Sequence, residues 1–273
     1  FQEYPIKQYP LLIMLELACL FDHYLLKDYK LFAKYKFDCV FNFAAQAGVL
    51  YSTRYPRYYL DSNTVGFFNI VEACDKYNVT KLFYASSSSV YGNVKKFPVS
   101  ENTTLAPENY YGLTKKHNEE VAETFSKFTS IQFIGLRFFT VYGPWGRPDM
   151  VIYKMIDSIF NKTKFYLNNN GNHYRDFTYI DDIVDGIIRI GKSIPKKNKK
   201  WDAKNPNPSF SKSPYQIYNI SSNRRVKLTS YLKILEKNLG KKAKIKFLPL
   251  QPGDVPDTYA NVDNLKRQFN YIY

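Results

Sequence analysis

One residue spacing in this sequence can carry acid–base chemistry: a tyrosine four residues before a lysine. On a helix, residues four apart lie on the same face, about one turn apart. A nearby cation favours the phenolate form of a tyrosine, whose pKa is otherwise about 10. Such a pair could remove a proton from an alcohol near neutral pH. The spacing occurs three times, in Tyr77/Lys81, Tyr91/Lys95 and Tyr111/Lys115.

The third pair is the one whose side chains are predicted to share a helix face. Tyr111 and Lys115 fall in the first turns of a predicted helix, NYYGLTKKHNEEVAETFSKFT. The first pair straddles the end of a helix and the start of a strand, and the second lies in a loop that is closed by Pro98. Tyr111 and Lys115 are therefore the candidate base and its cation.

A run of serines supports this choice. The segment ASSSSVYG ends a predicted buried strand, and the next predicted helix along the chain is the one that carries Tyr111. Ligands of open α/β sheets bind beyond the carboxyl ends of the strands, so Ser87 and Tyr111 can converge there. The alternative is that these serines only satisfy the backbone of their own turn.

The elements that must position these residues alternate between strand and helix. The apolar runs in FDCVFNF, TKLFYAS and IQFIGLRFF predict buried strands, and helical spacing from Val65 to Cys74 predicts a helix between the first two. This alternation is typical of a doubly wound parallel sheet.

After Pro144 the pattern is looser. Met150–Phe160 is predicted to be helical, and FTYIDDIVDGIIRI to be a short strand that runs into a helix. An exposed loop is predicted from Ser193 to Pro214, followed by a strand, a helix and a strand in YQIYNI, KLTSYLKILEKNLG and AKIKFLPL. We expect a first domain over residues 1–148 and a smaller α/β lobe over 149–273, with Phe177–Ile190 returning to the first domain.

Composition limits the class of protein. The chain has 273 residues, 45% hydrophobic and 23% charged, which is ordinary for a soluble globular protein. Its three cysteines have neither zinc spacing nor a disulfide pattern, which indicates no metal site and a reducing, cytoplasmic compartment. The longest apolar run, LLIMLELACL, is too short to span a bilayer. The net charge of +15 allows a nucleic-acid partner, but lysines cluster densely only at 192–200, so this alternative ranks last.

Several segments resemble a known family: NFAAQAG, SNTVGFFNIVEAC, YASSSSVYG, YYGLTKK, LRFFTVYGPWGRPDM and RDFTYIDDIVDGI. They are similar to the NAD-dependent epimerase/dehydratase family of extended short-chain dehydrogenase/reductases, and more closely to the UDP-glucuronate 4-epimerases. The resemblance implies a Rossmann-like sheet that binds NAD and a smaller lobe that binds a UDP-sugar. It also implies a cytoplasmic enzyme of polysaccharide biosynthesis and a homodimer formed by helices 63–77 and 111–128.

The resemblance also implies roles for individual residues. Tyr111 would take the proton of the sugar 4-hydroxyl while C4 gives a hydride to NAD, which yields a 4-keto intermediate. Ser87 would share a hydrogen bond with that hydroxyl, and Lys115 would hold the nicotinamide ribose. Further contacts to the cofactor would come from Phe43, Ala44, Ala45, Gln46, Asn63 and Phe139.

Two positions help to choose among branches of the family. The dehydratases carry an acidic pair after the active-site Ser or Thr, whereas Ser88 and Ser89 stand there in this chain, which favours epimerisation over dehydration or decarboxylation. An arginine fork suits a sugar carboxylate, which favours a uronate substrate. The residues assigned to the substrate are Ser88, Ser89, Thr140, Arg147 and Arg175.

Alternatives remain for the two arginines. Arg147 could form a salt bridge within its loop instead of binding a carboxylate. Arg175, which the resemblance places at the nucleotide diphosphate, could instead pair with Asp176 or Asp182.

One family motif is missing from the sequence. Family members open with a strand, a Gly-x-x-Gly-x-x-Gly turn and a helix that cradle the pyrophosphate of the dinucleotide. Here the first glycine is Gly48. We therefore expect either a chain truncated at both ends, or an inactive remnant that binds a UDP-sugar or a partner without NAD. Without its N-terminal strands, the strand Cys39–Phe43 is expected to form an exposed sheet edge.

Overall fold

The computed structural model describes residues 29–193, 195 and 197–272. The chain divides into two compact units. Unit 1 contains the described residues up to Gly92, Glu101–Arg137 and most of the segment Ser193–Tyr218, and unit 2 contains Asn93–Ser100, Phe138–Lys192 and the described part of Asn219–Tyr273. The domain boundary expected at residue 148 stays a prediction.

Unit 1 contains most of a four-stranded sheet. Its strands are β1 (Val40–Asn42), β2 (Lys81–Ser87), β3 (Gln132–Phe138) and β7 (Tyr215–Ile220), in the spatial order β1-β2-β3-β7. β1 and β2 are parallel, with Val40 opposite Leu82. β2 and β3 consist mostly of buried residues, the pattern of strands that are covered on both faces. Among the described strands β1 lies at the end of this order, and Phe41 stacks on Phe83 of β2 with ring centroids 4.5 Å apart.

The helices of unit 1 are short except for two. They are α1 (Lys30–Tyr35), α2 (Val49–Arg54), α3 (Pro56–Tyr59), α4 (Gly66–Lys76) and α5 (Tyr110–Phe125). α3 continues through a π-helical segment, Leu60–Val65, directly into α4. α4 buries its apolar face in the core, where its side chains meet those of β2 and β3; this face comprises Phe67, Ile70, Val71, Ala73 and Cys74.

Unit 2 combines two small sheets with helices. One sheet has the order β4-β6-β8, from β4 (Thr140–Tyr142), β6 (Tyr174–Tyr179) and β8 (Arg225–Lys227), with the first pair parallel and the second antiparallel. The other pairs β5 (Lys164–Leu167) with β9 (Lys244–Phe247) in parallel. The helices of unit 2 are α6 (Val151–Phe160), α7 (Ile180–Gly191), α8 (Leu228–Leu239) and α9 (Asp263–Phe269).

Most of the predicted elements are found close to their predicted positions. The strand and helix predicted in FTYIDDIVDGIIRI are β6 and α7, and α8 ends where Gly240 adopts φ +62°, as expected of a glycine stop. α7 lies in unit 2, where an added Cβ on its Gly186 would meet Ile220 and Tyr271. In the part of the chain that is described, no helix has both the length and the apolar character needed to cross a bilayer.

Candidate active site

The predicted serines lie at the carboxyl end of β2 and in the turn that follows it. Ser87 is 7% exposed, and its hydroxyl oxygen accepts a hydrogen bond of 3.1 Å from the backbone N–H of Ser89. Ser88–Val90 then form one 3-10 turn. The serine therefore does satisfy the backbone of its own turn. Because a hydroxyl that accepts one hydrogen bond can still donate another, this role is compatible with a bond from Ser87 to a substrate oxygen.

The first turn of α5 lies against this serine turn. Asn109 precedes the helix with extended backbone angles, and its side chain accepts a hydrogen bond of 2.9 Å from the N–H of Gly112. This is the usual geometry of an N-cap. A Cβ added to Gly112 would stand 2.5 Å from the carbonyl oxygen of Ser89. Glycine at this position thus lets the helix that begins with Tyr110 approach the end of β2 closely.

Tyr111 and Lys115 lie one turn apart on α5, as predicted. Lys115 is 3% exposed, and its Nζ donates a hydrogen bond of 2.8 Å to the carbonyl oxygen of Ala85 in β2. Tyr111 is half-buried, and its ring meets that of Tyr59 nearly edge-on, with centroids 6.3 Å apart. The backbone N–H of Tyr111 donates to the hydroxyl of Ser52 at 3.2 Å. Lys115 is therefore hydrogen-bonded to β2, and Tyr111 contacts residues of α2 and α3.

Two positive fields act at this end of α5. Lys115, whose side chain carries a positive charge, lies one turn further along the helix, on the same face as Tyr111. The N-terminal end of any α-helix carries a positive partial charge, and Tyr111 is the second residue of α5. Both fields favour a negatively charged oxygen over a neutral one. The arrangement can therefore stabilise a phenolate, or the oxyanion of a bound alcohol.

Asn63 connects the loop after β1 to α5. Its Oδ1 accepts from the N–H of Gln46 at 2.8 Å, and its Nδ2 donates to the carbonyl oxygen of Gln46 at 2.9 Å and to Oγ1 of Thr114 at 3.0 Å. Asn63 is 2% exposed and lies in the π-helical segment, a kind of irregularity that is frequent at functional sites. The predicted cofactor residue thus holds the backbone of Gln46 beside α5.

The rest of that loop lies at the carboxyl end of β1. Phe43 is 37% exposed and meets Phe41 nearly edge-on, with ring centroids 5.8 Å apart. Ala44, Ala45 and Gln46 are half-buried. β1 and β2 are parallel neighbours, so this loop and the serine turn leave the same edge of the sheet. Unit 1 therefore brings together the predicted catalytic residues and most of the residues assigned to NAD.

This donor set fits one end of a dinucleotide. A buried lysine, a phenol and a serine hydroxyl at one sheet edge suit a nicotinamide ribose and a reacting alcohol. The other end of a dinucleotide is a pyrophosphate, which Rossmann-type sheets hold on a glycine-rich turn. The sequence has no glycine before Gly48, so no such turn precedes β1 in this sequence.

Four predicted residues lie in unit 2. Phe139 is buried between the ends of β3 and β4, and Thr140 begins β4 opposite Phe177 of β6. Nε of Arg147 lies 3.2 Å from Oδ1 of Asp149, and both side chains are about half exposed, at 47% and 55%. The loop salt bridge that the sequence left open for Arg147 is therefore present. Because this pair is exposed, it is weak and a stronger carboxylate partner could replace Asp149.

Arg175 has a different partner from the two that the sequence suggested. Its Nη2 donates to Oδ1 of Asp254 at 3.2 Å, and its Nη1 donates to the carbonyl oxygen of Pro256 at 3.1 Å. Burial lowers the pKa of the Arg175 guanidinium, and the charge of Asp254 opposes this effect. Asp176 instead accepts hydrogen bonds of 3.0 Å from the hydroxyls of Ser221 and Ser222.

The same aspartate joins a histidine to Arg175. Nε2 of His173 lies 3.0 Å from Oδ2 of Asp254. Burial alone raises the pKa of Asp254, but His173 and Arg175 together lower it below its usual value. Asp254 thus stays charged and fixes the direction of the Arg175 guanidinium. Sequence reasoning missed this residue, because no local pattern connects positions 79 residues apart.

Sequence reasoning also missed a buried charged group behind the site. Arg137 of β3 is fully buried and pairs with Glu119 of α5, which is 2% exposed; Nη2 of Arg137 and Oε2 of Glu119 are 2.7 Å apart. A signal was available, because an arginine inside the apolar strand FIGLRFF demands a buried partner. Glu119 also follows Tyr111 and Lys115 at the next turn of the same helix face.

Comparisons with known proteins identify relatives of this chain. A family model described as the NAD dependent epimerase/dehydratase family matches residues 27–202. Protein CapI of Staphylococcus aureus is 48% identical over 244 residues, which cover 89% of this chain and 73% of CapI. UDP-glucuronate 4-epimerase 1 of Arabidopsis thaliana is 40% identical over 252 residues, which cover 89% of this chain and 57% of that protein.

A solved structure is also similar to this chain. The UDP-glucuronic acid 4-epimerase from Bacillus cereus, in complex with UDP-glucuronic acid and NAD, is 30% identical with a TM-score of 0.77, and the match covers 89% of this chain and 72% of that one. These matches confirm the resemblance to NAD-dependent sugar-modifying enzymes and the Rossmann-like α/β fold that it implied. The roles of the individual site residues stay predictions.

Proposed function

Because this chain belongs to the NAD dependent epimerase/dehydratase family, we propose that it interconverts UDP-glucuronate and UDP-galacturonate by epimerisation at C4. One observation carries the proposal: Tyr111 and the buried Lys115 share a face of α5 whose first turn lies against the serine end of β2. This arrangement supports a mechanism in which Tyr111 as base, Lys115 as cation and a serine hydroxyl act at one sheet edge.

The residues of this chain have separate roles in the reaction. Tyr111 removes the proton from the sugar 4-hydroxyl, and the ammonium group of Lys115 favours the phenolate that this step requires. Ser87 donates a hydrogen bond to the same sugar oxygen. NAD, held by Lys115 and the loop Phe43–Gln46, would supply a reversible hydride acceptor for C4 of the sugar, which is the chemistry that inversion at this carbon needs. Tyr111 then gives its proton back to the oxygen at C4.

Other side chains support the positions of these groups. Asn63 holds the backbone of Gln46 against α5, so that Phe43–Gln46 can line the cofactor next to Lys115. Phe139 supplies a further apolar contact to the cofactor. Ser88 and Ser89 are poor general acids or bases near pH 7, which favours epimerisation over the elimination of water. We assign Arg175, held by Asp254, to the diphosphate of the substrate.

The uronate is supported by two kinds of observation. Relatives at 36% and 40% identity are named probable UDP-glucuronate 4-epimerase and UDP-glucuronate 4-epimerase 1. In this chain the half-exposed Arg147 already forms a pair with a carboxylate, Asp149, and a guanidinium fork of this kind suits the carboxylate of a uronic acid. Thr140 is the second residue that we assign to this carboxylate.

The surface of unit 1 supports a homodimer. Phe68 of α4 and Leu113 of α5 are 38% and 48% exposed, and Phe128 just after α5 is 65% exposed. Phe125 meets both Phe68 and Phe128, with ring centroids 5.6 and 4.9 Å apart, so these rings form one exposed apolar cluster. An exposed cluster of this kind is typical of an interface. We assign the dimer contact to helices 63–77 and 111–128.

We place the enzyme in the cytoplasm, as a supplier of uronic acid for polysaccharide synthesis. Cys39 and Cys74 are free thiols, as is usual in a reducing compartment. Burial raises the pKa of the Cys39 thiol to about 12, so this thiol is inert near neutral pH.

Turnover of UDP-glucuronate by the purified chain in the presence of NAD tests the proposed function. We expect UDP-galacturonate as the product, identified by NMR. Tyr111→Phe should lower turnover by about 10²- to 10⁴-fold, whereas Tyr110→Phe, at the neighbouring position, should retain it. UDP-glucuronate binding without NAD binding or product would instead favour the second candidate, a UDP-sugar-binding protein without the reaction. Full activity of Tyr111→Phe would refute the assigned base.

A further inference from the structure

The buried pair of Arg137 and Glu119 lies next to Lys115, because Glu119 is on the face of α5 that carries Tyr111 and Lys115. Nε and Nη2 of Arg137 donate to Oε1 and Oε2 of Glu119 at 2.9 and 2.7 Å, so both carboxylate oxygens are bound by one guanidinium fork. Oε1 of Glu119 also accepts a hydrogen bond from the hydroxyl of Ser86, the residue before Ser87. The pair therefore connects three elements: α5, the end of β2, and β3.

Arg137 is itself held in place by further contacts. Its Nη1 donates to the hydroxyl of Tyr91 and to the carbonyl oxygen of Glu101, both at 2.9 Å. Its guanidinium carbon lies 4.8 Å from the centre of the Tyr91 ring. Burial by itself lowers the pKa of Arg137, but the charge of Glu119 raises it well above its usual value. The guanidinium is therefore always charged, and its direction is fixed.

Unless its charge is neutralised, Glu119 would weaken the effect of the positive charge of Lys115. It follows Lys115 by four residues on the same helix face, the spacing at which lysine and glutamate side chains can pair. A carboxylate paired with Lys115 would cancel the positive charge that favours the phenolate of Tyr111. In a buried, low-dielectric setting such a charge acts more strongly than at the surface.

We propose that Arg137 is a positioning residue, which holds the carboxylate of Glu119 against Ser86 and so keeps the charge of Lys115 directed to Tyr111. The inference rests on the proposed function, in which Tyr111 is the base. It goes beyond that function because it assigns a role to Arg137 and Glu119, which do not touch the reacting atoms. The three contacts of α5 with β2 and its serine turn, at Gly112, Lys115 and Glu119, then fix the register of Tyr111 against Ser87.

Other charged groups around α5 do not take this role within the part of the chain that the structure describes. Arg57 of α3 and Asp61 of the π-helical segment pair with each other at 2.9 Å near the surface. Glu101 is a second buried acidic residue. Its backbone carbonyl oxygen accepts a hydrogen bond from Arg137. Further charged side chains on α5 and around it are exposed or half-buried: Arg54, Glu72, Asp75, Lys76, Lys81, Glu108, Lys116, Glu120 and Glu123. Burial raises the pKa of Tyr84 and of Tyr215 well above the usual value, so these two phenols stay neutral near pH 7.

Titration of Tyr111 tests the proposal without any turnover. Protein labelled with ¹³C at the tyrosine Cζ gives one NMR signal for each tyrosine, and the Tyr111 signal is identified by its loss in Tyr111→Phe. We expect Arg137→Met to raise the pKa of Tyr111 by about one pH unit, and Glu119→Gln to lower it by a similar amount. The double variant Arg137→Met/Glu119→Gln should return it to the wild-type value.

The opposite signs distinguish this role from a merely structural one, because loosening the packing would disturb both single variants in the same direction. Glu120→Gln is the matched control: it makes the same change one residue further on, at a side chain that is 62% exposed, and should leave Tyr111 unchanged. If Arg137→Met does not fold, Glu119→Gln and the double variant decide the question, since the double variant buries neither charge of the pair.

The results of these titrations test the proposal separately from the proposed function. Shifts of the same sign in the two single variants, or a double variant that keeps the shift of Glu119→Gln, would overturn the proposal. Opposite shifts in a protein that turns over no UDP-sugar would support the proposal and contradict the proposed function. In an active enzyme, the pH profile of kcat/KM should move with the Tyr111 titration, and a profile unmoved in Glu119→Gln would count against it.

Discussion

Gly112 lies so close to Ser89 that a Cβ on the glycine would stand 2.5 Å from the serine carbonyl oxygen, a distance that real Cβ contacts do not reach. The contact joins the first turn of α5 to the serine turn after β2. Tyr111 precedes this glycine. The N-cap Asn109 accepts a hydrogen bond from the backbone N–H of Gly112. The distance between the side chains of Tyr111 and Ser87 therefore depends on a residue with no side chain.

Replacement of this glycine should impair catalysis more than folding. In Gly112→Ala the helix must move away from the serine turn, and a displacement of about 1 Å can lower turnover by about 10²-fold. Steady-state kinetics with UDP-glucuronate measure the loss. Gly66→Ala is the matched control, because its Cβ would meet the carbonyl oxygen of Asp61 at an ordinary 3.5 Å. A fully active Gly112→Ala would show that this contact does not set the geometry of the site.

The shared helix face of Tyr111 and Lys115 was predictable from the sequence because its geometry is local. Tyr111 and Lys115 are held by the period of one helix, and the serines by the end of one strand. The partners of the buried charges are not local. Arg137 meets Glu119 across 18 residues, and Arg175 meets Asp254 across 79 residues.

Those partnerships depend on how strands and loops pack, which the hydrophobic period of a sequence does not encode. The sequence suggested Asp176 as a partner for Arg175 because it is adjacent in the chain. Adjacent residues of a strand point to opposite faces, however, and Asp176 turns instead to Ser221 and Ser222. The π-helical segment that carries Asn63 likewise has no signature in the pattern of apolar residues.

Arg147 should decide how well the enzyme distinguishes a uronate from a neutral sugar. Arg147→Ala removes a charge-assisted hydrogen bond worth about 1.5–3 kcal/mol, which corresponds to a loss of about 10- to 100-fold in kcat/KM for UDP-glucuronate. UDP-glucose has no carboxylate and should lose much less. Arg57→Ala is a suitable control, since Arg57 also pairs with an aspartate near the surface of its own unit. Equal losses for both sugars would argue against a carboxylate contact.

The apolar cluster on α4 and α5 should determine the oligomeric state. Charged residues in the variant Phe68→Lys/Phe128→Lys would have to be buried in a dimer interface, so we expect a monomer in analytical ultracentrifugation where the wild type is a dimer. Ile234→Lys places the same charge on α8 in unit 2, at a side chain that is 54% exposed, and should leave the dimer intact. A dimer that survives the double substitution would place the interface elsewhere.

Asp254 should stabilise unit 2 in a way that depends on pH. Its pKa in the folded protein is lowered by His173 and Arg175 in spite of its burial. A group of this kind contributes stability that is fully present above its unfolded pKa of about 3.9 and is lost as the pH falls through the lower, folded pKa. Asp254→Asn removes the charged partner of Arg175, so we expect the free energy of unfolding at pH 7 to fall by about 1–3 kcal/mol.

The pH dependence separates this contribution from a simple packing defect. Chemical denaturation of wild type and Asp254→Asn at several pH values measures the difference between their free energies of unfolding. That difference should shrink as the pH falls below about 4, because the carboxylate then takes up its proton first in the unfolded chain and, at lower pH, in the folded protein. Asp149→Asn, at a side chain that is 55% exposed, should change stability little at any pH. A difference that stays the same down to pH 3 would mean that the charge of Asp254 does not hold Arg175 in place.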